Sequence, residues 1–190
     1  MKGFKGTRGL VIFLILIGML LCYYFYLSNR KEEAKEEPVE MTQVQEVLLH
    51  DLDRNYPATP KEVIKYYSEI TQCFYNGDYS EKELQELSDK AMELYDQELA
   101  DFQTEEYMNR LKSEIASFKQ EEIQVSSYKV SSSTDVEYFT SAGRECAKLY
   151  CTYTLRKGTT LQSIEEMFIL RKDGDGHWKI LGWEEARKSQ

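Results

Sequence analysis

The stretch that decides the fold is Thr59-Pro-Lys-Glu-Val-Ile-Lys-Tyr-Tyr-Ser-Glu-Ile-Thr-Gln-Cys-Phe-Tyr-Asn-Gly-Asp78. Thr59 can cap a helix, Pro60 suits the first helical turn, and Glu62 stands where it can bond back to the cap. Asn76-Gly77 is typical of a helix end. The positions at helical period between these ends are Val63, Tyr66, Tyr67, Ile70, Cys73 and Phe74. The stretch therefore predicts an amphipathic helix whose apolar face lies on a core.

Two further helices are predicted downstream. Ser80-Glu-Lys-Glu83 repeats the capping pattern, and a third helix is expected from about Thr104. The apolar stripes are Leu84, Leu87, Ala91, Leu94 and Tyr95 in the second helix, and Tyr107, Leu111, Ile115 and Phe118 in the third. Short loops join the three helices, so we expect them to follow one another closely in space.

The pattern changes near Ile123 from helical period to alternation. Strands are predicted at 123–130, 136–140, 147–155, 160–172 and 177–183, with turns at 131–135, 157–158 and 173–176. Helices followed by an antiparallel meander indicate the α+β class. The expected architecture is three helices packed on a curved antiparallel sheet.

One strand is apolar on both faces, at Met167-Phe-Ile-Leu170. Such a strand is either buried on both sides or meets a partner on its second face. A second copy of the chain, or a cell-envelope protein, is the partner expected on that sheet face.

The chain begins with a long apolar segment. Residues 9–27 contain no charged side chain and would span roughly 28 Å as a helix. Tyr23, Tyr24 and Tyr26 lie at its end, as in an aromatic belt. No small-residue cleavage pattern follows, which argues against a cleaved signal peptide. The segment predicts a single-pass signal anchor, an uncleaved transmembrane helix.

The flanks of this segment bear on its orientation. Three basic residues precede it (Lys2, Lys5, Arg8) and three follow it (Arg30, Lys31, Lys35). A short N-terminal segment ahead of a large domain favours a cytoplasmic N-terminus. The expected organisation is a cytoplasmic tail (1–8), a transmembrane helix (9–27), a charged spacer with a short helix (28–58) and an extracytoplasmic α+β domain (59–190).

Composition excludes several classes of function. Lys and Arg total 24 against 33 Asp and Glu, a net charge of −9, so no nucleic-acid partner is expected. His50 and His177 are the only histidines, and nucleotide, zinc and nucleophile motifs are absent, so no cofactor or metal is predicted. Asp173-Gly-Asp-Gly176 begins like a calcium loop but lacks the closing Glu, and it indicates a hairpin turn.

Three features resemble the NTF2-like superfamily. They are the opening helix Pro60–Asp78 with its Gly-Asp exit, the order of three helices before a sheet, and the closing hairpin Arg171-Lys-Asp-Gly-Asp-Gly-His-Trp-Lys-Ile180. The resemblance covers about residues 59–184 and implies a cystatin-like cone, in which a curved sheet wraps around helices. Superfamily members similar to ketosteroid isomerases or polyketide cyclases place an acidic residue or a His in the cone as general base.

A longer string carries a second resemblance. Asp53-Arg-Asn-Tyr-Pro-Ala-Thr-Pro-Lys-Glu-Val-Ile-Lys-Tyr-Tyr67, behind an apolar segment, is similar to a family of small anchored proteins from anaerobic Gram-positive bacteria. This resemblance implies no activity.

The candidate site residues follow from strand parity and from the apolar faces. Glu166 is the carboxylate expected within a strand, on the same face as Ile164, Phe168 and Leu170. The alternative for Glu166 is a solvated position at the sheet edge. The residues expected to line a cavity are Tyr66, Tyr67, Phe74, Tyr153, Phe168 and Trp178, although core packing would explain each of them equally well.

The expected function is binding without catalysis. A membrane-anchored domain would hold a protein partner or a small ligand in its cone or on its sheet face. One alternative is an enzyme of the isomerase or cyclase type that uses Glu166 as its base. Another is a structural component of a cell-envelope assembly, which predicts a filled cone and a self-associating sheet face.

Overall fold

The computed structural model describes residues 19, 21, 23–25, 41–103 and 106–186. The chain divides into two compact units, Met1–Glu40 and Met41–Gln190. The second unit contains the elements that build the site, and the account below concerns that unit.

The capping and periodicity patterns predict every described α-helix from Gln43 onward except the short one at Gln97–Asp101, and Leu94 and Tyr95 lie beyond the end of the second predicted helix. The helices are α1 (Gln43–Leu49), α2 (Pro60–Asn76), α3 (Glu81–Glu93), the short α4 (Gln97–Asp101) and α5 (Glu106–Gln120). Thr42, Thr59 and Ser80 cap the first three, each in a complete capping box. Each box satisfies two backbone amides that the helix itself leaves unpaired.

Five strands form one curved antiparallel sheet in the order β1-β3-β4-β5, with β2 also paired to β3. The strands are β1 (Ile123–Val130), β2 (Glu137–Ser141), β3 (Arg144–Lys157), β4 (Thr160–Lys172) and β5 (Trp178–Glu185). Helix α2 packs on the sheet through contacts with β1, β3 and β5. The α+β arrangement of helices on a curved antiparallel sheet is therefore present in the structure.

The sheet carries a bulge that decides which side chains face the helices. On β4 and β5, Ile169 pairs with Gly182 but Leu170 pairs with Ile180, so Leu181 is an extra residue on β5. A single extra residue reverses the side-chain alternation beyond it. Trp183 therefore faces the same side of the sheet as Trp178 and Ile180. A regular strand running from Trp178 would place Trp183 on the other side.

Residues before the predicted domain boundary at 59 also contribute to the core. Val44 and Val47 of α1 and Leu52 are each at most 5% exposed. The Tyr66 hydroxyl donates to the backbone carbonyl of Val47 at 2.8 Å, which ties α1 to α2. The compact unit thus includes the short helix that the sequence predicts within 28–58.

A buried ion pair joins the end of the helical half to the sheet. Arg171 on β4 donates from Nε to Asp96 Oδ2 at 3.0 Å and also bonds Asp96 through its Nη2 atom. The Asp96 backbone amide donates to the carbonyl of Ile180 at 2.8 Å, and the Ile180 amide donates to Leu94. The segment around Tyr95 therefore lies along β5 like a short extra strand.

The structure corrects one part of the expected fold class. The predicted first element, a transmembrane helix over residues 9–27, is not among its elements: no helix among the described residues is both long enough and apolar enough to cross a bilayer. The helices described from Gln43 onward are at most 17 residues long and amphipathic, with charged outer faces, so they fail this criterion. Of residues 9–27, all but 19, 21 and 23–25 lie outside the described residues.

Candidate functional site

A cavity of about 470 Å³ lies between α2, α5 and the concave face of the sheet. Its lining comes from both helices, from β1, β3, β4 and β5, and from the segment between α3 and α5. Aromatic side chains predominate among the lining residues: Tyr67, Phe74, Tyr75, Tyr95, Tyr107, Phe118, Tyr153 and Trp183.

Three of these rings form a cluster on one wall. The ring centroids of Tyr67, Tyr95 and Trp183 are 5.6–6.0 Å from one another. Phe168 packs behind this cluster, 5.9 Å from Tyr67 and 6.0 Å from Trp183. Such distances are typical of favourable aromatic pairs, so each ring is held in place by its neighbours.

A second aromatic pair lies beside the helix α5. Tyr75 and Phe118 are stacked with their centroids 4.2 Å apart. The Tyr75 hydroxyl donates to the Glu114 carboxylate at 2.7 Å, so this carboxylate is oriented by α2 although it belongs to α5. Arg110 lies four residues before Glu114 on the same helix and also lines the cavity.

Glu166 is the carboxylate that the sheet itself supplies to the cavity. It is half-buried on β4, where its register partner on β5 is Glu185. Burial, followed by the negative charges of Glu114 and Glu185, raises the pKa of Glu166 to about 7. The carboxyl group therefore changes its charge near neutral pH, because burial and like charges both disfavour the ionised form.

The tyrosine hydroxyls of the cavity are neutral. Burial raises the pKa of Tyr67 and of Tyr153 well above the usual range. The Ser68 hydroxyl donates to the Ile64 carbonyl at 2.8 Å, so the Tyr153 hydroxyl is the donor in its 2.9 Å bond to Ser68. The Tyr153 hydroxyl proton is therefore bonded within the core, and the Tyr153 ring lines the cavity.

The structure brings four of the seven predicted site residues together. Tyr67, Phe74, Tyr153 and Glu166 all line the cavity. Glu166 was proposed from strand parity alone, and the structure places it on the face that parity indicates.

The other three predicted residues do not line it. Tyr66 points to α1, where its hydroxyl bonds Val47. Phe168 is completely buried behind Tyr67 and Trp183. Trp178 begins β5 opposite Lys172, at the end of β4 away from Glu166. Its ring centroid lies 5.8 Å from that of Tyr138, and the Lys172 ammonium group lies over its ring.

Several cavity residues escaped the sequence reasoning. Three of them lie on the face of α5 over the sheet: Tyr107, Glu114 and Phe118. The apolar stripe of the third predicted helix includes Tyr107 and Phe118, so it was the available signal for those two. Trp183 faces the cavity because of the bulge at Leu181, and Gly182 directly after it is the sequence signal that could have indicated a bulge.

No metal site accompanies the cavity within the described part of the chain, where no group of three His, Cys, Asp or Glu residues is placed to hold an ion. Asp173–Gly176 forms the turn between β4 and β5, and the Asp173 carboxylate accepts from the backbone amides of Asp175 and His177. Cys73, Cys146 and Cys151 are free and buried.

The other face of the sheet is partly covered. Met167 and Ile169 are half-buried there, while Phe168 and Leu170, which alternate with them along β4, are fully buried on the helix side. The partner predicted for this face stays a prediction, as does the extracytoplasmic location.

The chain matches a known family over most of its length. A family model described as a domain of unknown function (DUF6715) matches residues 1–183. No curated protein matches the chain. The match extends over both compact units and over every strand of the sheet through Trp183.

Proposed function

The chain belongs to the DUF6715 family, and we propose that its compact unit from Met41 onward binds one small organic molecule in the cavity, without catalysing a reaction on it. The observation that carries the proposal is the aromatic cavity with the half-buried Glu166 carboxyl in its wall. A protein core normally fills such a space, because voids forfeit packing energy.

The dimensions of the cavity support a small ligand. Its volume of about 470 Å³ lies within the range of roughly 300–1,000 Å³ that small-molecule sites occupy. Such sites combine apolar and aromatic walls with a few polar groups that fix orientation. Here the walls are the two ring clusters, and the polar groups are Glu114, Glu166 and Arg110.

The same observations favour ligand binding over the structural alternative. A domain that served only as a building block of an assembly would gain stability by filling its cone with side chains. The open cavity instead keeps the half-buried Glu166 carboxyl beside aromatic rings, and an occupant would offset the cost of burying that group.

A cavity-filling variant tests the proposal with a neutral probe. N-phenyl-1-naphthylamine fluoresces strongly only in apolar surroundings, and it would be titrated into the full-length chain. Ile164→Trp places a larger side chain on the cavity wall. Ile169→Trp is the matched control, since Ile169 is equally half-buried on the same strand but on the opposite face.

The expected result is binding of one probe per chain by the wild type and by Ile169→Trp, with at least a tenfold loss in Ile164→Trp. Equal binding by the two variants would place the probe outside the cavity. Absence of binding to the wild type would contradict the proposal directly.

A second candidate function is proton transfer by Glu166, favoured by its pKa of about 7. A general base works best when its pKa is near the operating pH, and burial is the usual way to tune a carboxylate to that value. The protein would then take a proton from an acidic C–H group of the bound molecule.

Deuterium exchange distinguishes this candidate from simple binding. Phenylacetone, whose C–H groups beside the carbonyl are acidic, would be incubated with the full-length chain in D2O and followed by NMR. The enzyme hypothesis predicts faster exchange with the wild type and the uncatalysed rate with Glu166→Gln. Identical rates for both proteins would leave the non-catalytic proposal standing.

A further inference from the structure

We propose that the molecule held in the cavity is an organic cation, an amine or quaternary ammonium compound whose charged head lies between the aromatic rings and Glu166. This inference rests on the proposed binding function and specifies the chemical class of the ligand.

The first support is the ring cluster. The faces of Trp and Tyr carry negative charge density, and a cation within about 6 Å of several ring centroids is attracted to all of them. Tyr67, Tyr95 and Trp183 have mutual centroid distances of 5.6–6.0 Å and all line the cavity. Their hydroxyl and indole groups are uncharged, so the attraction for a cation comes from the ring faces.

The second support is the placement of Glu166 beside these rings. Phe168 is the next residue of β4 on the same face, and its register partner is Trp183. Glu166 itself pairs with Glu185, which is two residues after Trp183 on β5. Glu166 is therefore the same-face neighbour of Phe168 on β4, beside the ring cluster.

The third support is the balance of charge. The largest influences on the Glu166 carboxyl are burial and the negative charges of Glu114 and Glu185, and none of them is a cation. Arg110 and Glu114 both line the cavity from α5 and both are exposed, so the half-buried charge of the site is that of Glu166. The ring side of the cavity is thus electronegative.

Ligands of other charge fit this arrangement less well. An anion would face the half-buried Glu166 carboxylate, and like charges at short range in a partly dry site are strongly unfavourable. Above pH 7, where Glu166 is ionised, a neutral molecule would leave its half-buried carboxylate without compensation. A cation offsets the burial of Glu166 and interacts with the rings at the same time.

A charge series on one molecular frame tests the inference. 2-Phenylethylamine, 2-phenylethanol and phenylacetate carry a positive, neutral and negative head on nearly the same skeleton. Their affinities for the full-length chain would be measured at pH 8 by calorimetry. Glu166→Gln removes the charge from the cavity, and Glu165→Gln removes the same charge from the adjacent exposed residue on the opposite face of β4.

Tryptophan fluorescence locates the bound molecule. The chain has two tryptophans, so Trp178→Phe leaves Trp183 as the only reporter. Binding beside the ring cluster is expected to change its emission, whereas Trp183→Phe, which keeps Trp178, is expected to show no change.

The expected result is that the amine binds about tenfold more tightly than the alcohol, with the carboxylate weakest. This preference should fall in Glu166→Gln and persist in Glu165→Gln. If the alcohol binds as tightly as the amine, the inference is wrong while the binding function stands. If none of the three compounds binds but N-phenyl-1-naphthylamine does, the inference is wrong and the binding function stands; if the probe also fails to bind, both are wrong.

Discussion

Phe168 and Trp183 are register partners on β4 and β5, and their rings stack with centroids 6.0 Å apart and planes inclined by 26°. Phe168 is fully buried, whereas Trp183 is 37% exposed. The pair therefore connects the core to the mouth of the cavity, and it exists because the bulge at Leu181 turns Trp183 to the helix side.

The first prediction concerns Trp183. Trp183→Ala should weaken binding of N-phenyl-1-naphthylamine about tenfold, since aromatic contacts of this kind contribute on the order of 1 kcal/mol beyond area burial. Stability should fall only slightly because the side chain is partly exposed. Trp178→Ala is the control: it removes a ring that lies outside the cavity, so the folded protein should keep its affinity. Equal losses in the two variants would contradict the proposed wall.

The buried ion pair gives the second prediction. Arg171→Met should destabilise the protein by about 3 kcal/mol, because it leaves Asp96 buried without its partner. Urea denaturation measures this change. Arg54→Met, which removes an exposed pair with Asp51, should change stability by less than about 1 kcal/mol. Similar values for both variants would show that the buried pair has no special role.

The same pair predicts a loss of stability in acid. Burial alone would raise the pKa of Asp96, but hydrogen bonds from Arg171 and from the Glu98 amide outweigh it and lower the pKa below its usual value. A carboxylate with a lowered pKa stabilises the fold above the pKa of the unfolded chain, and this contribution is lost as pH falls through the folded value. Asp96→Asn should therefore flatten the acid side of the curve of melting temperature against pH.

Glu166 predicts the opposite dependence. Its folded pKa of about 7 is raised, so the folded protein holds this proton more tightly than the unfolded chain. The contribution to stability is complete below the unfolded pKa and is lost as pH rises through 7. Glu166→Gln should thus be more stable than the wild type at pH 8, by on the order of 1 kcal/mol after allowance for solvent screening. Glu114 and Glu185, the charges that face Glu166, remain in this variant. A melting temperature that does not respond to pH differently in the two proteins would contradict the assignment.

Gly77 supplies the last prediction. A Cβ atom there would lie 2.6 Å from the Cys73 carbonyl oxygen and 2.8 Å from a methyl group of Val44. Gly77→Ala should therefore destabilise the protein by roughly 1–3 kcal/mol, as overpacking does. Gly174→Ala, where a Cβ meets nothing within 4 Å, should be close to neutral. Equal melting temperatures for the two variants would show that α1 is not packed against the end of α2.

Gly77 also shows how sequence reasoning can reach a correct boundary for an incorrect reason. Asn76-Gly77 predicts the end of α2, where glycine usually adopts a left-handed conformation. The structure ends α2 at Asn76, but Gly77 has φ −75°, which any residue can adopt. Glycine is required there because a Cβ atom would collide with the Cys73 carbonyl oxygen of α2 and with Val44 of α1. The contact with Val44 joins residues far apart in the sequence, so the local helix pattern does not indicate it.

Local signals explain most of what could be predicted. Capping boxes, apolar periodicity and strand alternation depend on neighbouring residues, and they located α2, α3 and the strands of the sheet. The cavity depends instead on register. Glu166 was found because β4 alternates regularly through that position, whereas Trp183 was missed because Leu181 reverses the alternation on β5. Trp178, which was also expected in the cavity, precedes the bulge and pairs with Lys172, six residues along β4 from Glu166, so it lies away from the cavity.

Native mass spectrometry of the full-length chain, purified gently from cells, tests the central claim most directly. The account predicts that each wild-type chain carries one small organic molecule, or takes up one N-phenyl-1-naphthylamine when the probe is added, and that Ile164→Trp carries neither. It would be contradicted by a folded wild-type chain that stays bare even with the probe, or by the same bound mass on both proteins.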